Sequence, residues 1–143
     1  MKKYGKFEFD EKSELNLFDQ IISLYIHYID DLKYADTELE KSYFTSRITE
    51  TQQELLSLKT KLTDKVVKEF LEEKKKLCQH LQKDPDLKLV EETGLLSKFD
   101  LVVFSDRIPQ IATKEIESIN AVQKFFDKSK NDASSNLSKW YAF

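Results

Sequence analysis

Apolar residues recur at three- and four-residue spacing along three long stretches of the chain, and each predicts an amphipathic helix. Over residues 12–34 the stripe is Phe18, Ile21, Ile22, Tyr25, Tyr28, Ile29 and Leu32. At about 100° per residue these positions fall within an arc of roughly 120°, so the helix needs a partner along that arc. The second stretch opens with Thr37 and Glu40, a T-x-x-E capping box, and continues through Phe44, Ile48, Leu55, Leu58, Leu62, Val66, Phe70, Leu77 and Leu81. After Leu62 the spacing lengthens towards fours, a stutter in the register. No Gly or Pro interrupts before Pro85, and the expectation is one continuous helix over 37–82, about 68 Å long. A compact chain of this size has a radius of gyration of only about 14–15 Å. The competing expectation is therefore a break near Thr60–Asp64, where Thr63 or Asp64 would cap a new start. The third stretch, 109–128, carries Ile111, Ala112, Ile116, Ile119, Val122, Phe125 and Phe126.

The segments between and around these stripes read more weakly. Residues 1–11 form an arm in which "KFEF" alternates for one short strand that needs a partner. Asp84-Pro85 stops the second stripe and is expected to cap a short helix, after which Gly94 suits the left-handed residue. "LLSKFDLVVF" (Leu95 to Phe104) reads as a further short helix, so 85–104 is assigned to short helices and turns. Residues 129–143 are a polar linker followed by the aromatic tail "LSKWYAF", expected to dock on the helices. The fold class is all-α: a single domain, an elongated helical bundle or hairpin built around a long central helix.

Composition narrows this picture. The 143 residues suffice for one hydrophobic core and not for two. A hydrophobic fraction of 40%, with ten Phe and six Tyr, excludes a wholly disordered chain. Two Gly and two Pro disfavour a many-stranded sandwich or barrel. The lone Cys78 forms no internal disulfide and is expected in the core or at its boundary. The opening "MKKYGKFEFDEK" has no apolar run behind its lysines, so no signal peptide is read there. No stretch approaches the roughly 18 apolar residues that cross a bilayer. The expected location is the cytoplasm, with no membrane contact.

The net charge of −3 matters less than its distribution. Ten acidic residues and two lysines lie between Glu8 and Glu40, giving −8, whereas ten basic and six acidic residues between Lys41 and Lys83 give +4. Arg47 and Arg107 are the only arginines. The bidentate fork that grips phosphates and reads bases is scarce, and direct nucleic-acid binding is not expected. "EEKKKLCQH" (Glu72 to His80) reads as a solvated helix face flanked by its own counter-charges.

Several chemistries lack their residues. Inward Glu-x-x-His pairs fail, because the residues three before His27 and His80 are Leu24 and Leu77. There is no H-E-x-x-H, no Gly-rich phosphate loop, and only one Cys with two His for a zinc cluster. Cys78 and His80 diverge by about 200° on a helix and do not form a nucleophile–base pair. No cofactor, no metal and no catalysis are expected.

"YIHYIDDLKYADTELE" (Tyr25 to Glu40) is the one stretch with a candidate site. His27 falls opposite the apolar stripe, with Asp30, Asp31 and Tyr34 near it on the outward face. Asp36 and Glu38 extend an acidic ridge around the corner to the next helix. The bland reading is a solvated helix end whose acids favour the next helix dipole. The functional reading is a docking surface of His27, Asp30, Asp31, Tyr34, Asp36 and Glu38 for a partner with a basic surface. The expected function is a non-catalytic protein–protein interaction module that masks such a surface, as an immunity protein, antitoxin or inhibitor of a nucleic-acid-handling enzyme does. The alternative is a self-associating coiled-coil scaffold or adaptor, a homodimer through the 37–82 helix.

Overall fold

Residues 1–11 are not a free arm. In the computed structural model, which describes the backbone of residues 1–141 and the side chains of residues 1–130, the "KFEF" strand finds its partner immediately upstream. Strand β1 (Lys2–Tyr4) pairs antiparallel with β2 (Phe7–Phe9), with Tyr4 opposite Phe7. Gly5 at φ 58 occupies the first position of the two-residue turn, the place that a type II′ hairpin reserves for glycine. The hairpin turns Tyr4 and Phe9 inward, where both rings pack on Phe70 at centroid distances of 5.7 and 5.5 Å.

Six helices follow among the described residues, and the chain is mostly helical. Helix α1 (Glu14–Lys33) starts at Ser13, whose hydroxyl accepts from the Leu15 N–H. Helix α2 (Glu38–Leu62) starts at Thr37, whose side chain accepts from the Glu40 N–H, while the Glu40 carboxylate accepts from the Asp36 N–H at 3.3 Å. Helix α3 (Asp64–Lys83) follows after one residue. Asp86 rather than Asp84 caps the short α4 (Leu87–Thr93), and Gly94 ends it at φ 69 in the left-handed conformation. Ser97 caps α5 (Lys98–Phe104). Helix α6 (Ile108–Tyr141) completes the chain.

The continuous 37–82 helix is not formed. It breaks at Thr63, which has φ 77 and ψ 152 and whose hydroxyl accepts from the Val66 N–H at 3.4 Å. The reason lies in the two buried faces. Thr51, Leu55 and Leu58 are the buried residues of α2, whereas Val67, Phe70, Leu71, Lys74, Cys78 and Leu81 are those of α3. On one straight helix these two sets would be rotated by about two-fifths of a turn from each other. The break lets each face meet its own partner, and it removes the single long central helix. The expected linker at 129–136 is also corrected, because α6 runs on to Tyr141. The docking expected of Trp140–Phe143 lies outside the described side chains.

Helix α1 packs on α2, α3 packs on α6, and α1 also contacts α6. The main core gathers Phe18, Ile22 and Tyr25 of α1, Leu55 and Leu58 of α2, Phe70 and Leu71 of α3, and Ile119, Val122 and Phe126 of α6, closed by Tyr4 and Phe9. A second cluster joins Cys78 and Leu81 to Val90, Ile108 and Ala112. No described helix is long and apolar enough to cross a membrane.

Candidate functional site

The acidic ridge lies where α1 turns into α2, at the tip of a helical hairpin that projects from the core. No residue from 26 to 50 is buried. Packing inside the tip is limited to half-buried side chains such as Ile29, Phe44 and Ile48, and the first fully buried position of α2 is Thr51. Lower down, Gln52 Nε2 donates to the Tyr25 hydroxyl at 3.1 Å and ties the two helices together.

The six predicted residues divide. His27, Asp31, Tyr34, Asp36 and Glu38 are exposed, and Tyr34 is 75% accessible. Asp30 is instead half-buried and ion-paired with Lys114 of α6, so it fastens the tip to the rest of the fold. Glu38 shares its charge with Lys41 at 3.5 Å. The free carboxylates of the ridge are therefore fewer than the sequence count suggested. The structure adds Leu39 and Tyr43, 82% and 52% accessible, so three large apolar side chains stand exposed among Asp31, Asp36, Glu38 and Glu40. Leu39 was missed because it belongs to neither helix's apolar stripe. That mismatch was itself the signal, a large aliphatic residue in the first turn of a polar helix face.

A second constellation was also missed. Lys74 of α3 is 1% exposed, and "EEKKKLCQH" is thus not a uniformly solvated face. Its Nζ lies 2.8 Å from Asp19 Oδ1 and 2.7 Å from Glu115 Oε2. Asp19 Oδ2 accepts from Lys2 Nζ at 2.8 Å and from the Tyr4 hydroxyl at 2.9 Å. Ser23 Oγ donates to Glu115 at 2.8 Å. The two ammonium groups balance the two carboxylates, and the network joins β1, α1, α3 and α6.

The electrostatics follow from this pairing. Burial pushes the Asp19 carboxyl up, but the charges of Lys74 and Lys2 outweigh it, and the net shift is downward. Burial likewise disfavours the Lys74 ammonium, and Asp19 and Glu115 reverse that into a raised value. Tyr4 is raised well above its ordinary value by burial first and by Asp19 second. Burial pushes the Cys78 thiol up to about 12, which leaves it protonated and a poor nucleophile. A lysine held charged by two carboxylates is likewise no base. The network ties β1, α1, α3 and α6 together.

A third feature is an open groove of about 1090 Å³ between the start of α1 and the α4–α5 segment, lined by Phe9, Glu11, Asn16, Leu17, Leu96 and Leu101 among others. Its walls mix aliphatic residues with both signs of charge. Among the described residues no group of three or more His, Cys, Asp or Glu side chains converges on a metal position. Comparison with protein-family models, with curated proteins and with solved structures finds no match for this chain.

Proposed function

We propose that this chain is a non-catalytic protein-binding module that presents the α1–α2 tip to a partner with a basic surface, in the manner of an immunity protein, antitoxin or inhibitor. One observation carries the reading: a hairpin tip without a buried residue over 26–50 exposes Tyr34, Leu39 and Tyr43 between carboxylates. Covering each large apolar side chain would contribute about 1.5–3 kcal/mol. Asp31, Asp36 and Glu40 supply the long-range attraction that speeds encounter. Aromatic residues rimmed by charge are a common composition for the centre of an interface.

The scaffold reading has less support. Leu55, Leu58, Phe70 and Leu81 are buried in the chain's own core, which leaves the 37–82 segment no continuous apolar stripe for a coiled coil.

The test is kinetic. A photo-crosslinker at exposed Ser42 identifies the partner, and association is then measured at two salt concentrations. Asp31→Lys with Asp36→Lys should slow association, most strongly at low salt, and leave helical content unchanged. Leu39→Ala and Tyr34→Ala should each speed dissociation about tenfold, as expected for packed anchors. A partner that binds the combined variant as fast and as tightly as the wild type removes the tip from the account.

A further inference from the structure

We propose that Thr63 is a swap hinge: by relaxing into helical backbone it fuses α2 and α3 into one helix, and two copies of this chain then exchange their α3–α6 halves. The starting observation is backbone strain at a residue that has no reason of its own to tolerate it. Thr63 is the only non-glycine residue with positive φ among the described residues. Its combination of φ 77 and ψ 152 lies in a region reserved almost wholly for glycine, and its side chain is β-branched. Apart from the capping side chains of Thr63 and Asp64, the sequence around this point does not oppose a continuous helix. No Gly or Pro occurs between Gly5 and Pro85, and "LKTKLTDKVVK" around the junction is built of residues that a helix accepts. A short strained connection between elements that would otherwise run on is the usual setting for domain exchange.

The packing fits the same idea. Helices α2 and α3 pack less against each other than α2 does on α1 or α3 does on α6. The defining contacts of the core join the chain before Thr63 to the chain after it. Tyr4 and Phe18 pack on Phe70, Lys59 lies over Phe126, Asp19 pairs with Lys74, and Ser23 donates to Glu115. Each of these re-forms unchanged with the halves of a second copy. The exchange removes the strain at Thr63 and lets the last carbonyls of α2 accept from the first N–H groups of α3, groups that helix ends leave without intrahelical partners. It gives up the Thr63 cap and the freedom of a second molecule, so the bent monomer dominates when dilute and the exchanged dimer grows with concentration.

Two opposite substitutions test the hinge. Thr63→Gly accepts the bent backbone and disfavours a helix, whereas Thr63→Ala keeps the strain, loses the cap and favours a helix. Each protein is unfolded and refolded at high concentration, then examined by sedimentation velocity. Thr63→Ala should dimerise with a dissociation constant at least about tenfold below that of wild type, and Thr63→Gly should remain monomeric. A folded, monomeric Thr63→Ala, or equal dimerisation of both variants, overturns the proposal. Should Thr63→Ala not fold, the wild-type dimer decides. Spin labels at Gln53→Cys and Gln79→Cys, both exposed, measure the hinge within one chain when labelled protein is refolded with excess unlabelled protein. Cys78 stays in place, since it is buried. A fused helix requires a separation of about 39 Å in the dimer, longer than in the monomer. The same distance in both, or a wild type that never dimerises after concentrated refolding, also overturns it.

Discussion

Lys74 occupies a place where the apolar stripe of α3 would otherwise run without interruption from Phe70 and Leu71 to Cys78 and Leu81. Its charge is tolerated there because Asp19 and Glu115 reach it at 2.8 and 2.7 Å, and removing one member of such a group leaves a buried charge uncompensated. Lys74→Met should therefore lower stability by about 3–5 kcal/mol, read from urea unfolding. Combining it with Asp19→Asn and Glu115→Gln should cost less than the sum of the separate changes. The network also sets a pH dependence. The Asp19 carboxyl is held below its ordinary 3.8 in the folded protein, so the unfolded chain takes up that proton first as pH falls. Its contribution is complete above about pH 5 and is lost as pH drops through 3.8 towards the lower folded value. Lys74 behaves oppositely: raised above 10.5, it contributes fully below that pH and loses its contribution only on the strongly alkaline side. Cys78 and Tyr4, raised from 9.0 and 10.0, also withdraw support only as pH climbs past those values. Unfolding midpoints measured from pH 2 to 11 should show a plateau around neutrality, with an acid limb that is shallower in Asp19→Asn. An identical acid limb in the variant would remove Asp19 as its source.

At the scale of elements, the sequence was most legible where a local rule was enough. The stripe from Phe18 to Tyr25 did turn inward, Thr37 did cap α2, and Gly94 did end α4 in the left-handed conformation. What failed to show was any choice made by tertiary contact. The break at Thr63 was legible only as the competing expectation, through its capping side chain, and its positive φ arises because α2 and α3 must direct differently rotated faces at different partners. Lys74 and Asp19 look like surface charges when each is read alone. They become recognisable as partners only if a charge inside the α3 stripe is allowed to look for an opposite charge beside the α1 stripe. The ridge was legible in its exposed positions, because His27 and Asp31 follow from helical angle and Tyr34, Asp36 and Glu38 lie at or between the helix ends. Asp30 was misplaced because its partner, Lys114, lies 84 residues away in α6, and no local pattern reports that distance.

At the scale of the whole molecule, the first nine residues act as a lid on the core. Tyr4 is fully buried and Phe9 nearly so, both on Phe70, while Lys2 supplies one of the two ammonium groups around Asp19. The hairpin has few contacts of its own, since a two-stranded ribbon is marginal in isolation, and it is held by what it covers. The dependence runs both ways. Deleting residues 1–9 would uncover Phe70 and the Asp19–Lys74 pair together, exposing apolar surface and admitting water to a charge balance built without it. The shortened protein should keep most of its helical circular dichroism, because the caps and stripes of α1 to α6 remain. It should lose several kcal/mol of stability, by analogy with large truncations of core aromatics, and bind a hydrophobic dye that the full chain excludes. The single change Tyr4→Ala should reproduce much of that loss, and Lys3→Ala, on the outer face of the same strand, almost none. Equal unfolding midpoints for the full and shortened chains would mean that α1, α3 and α6 close the core without the hairpin.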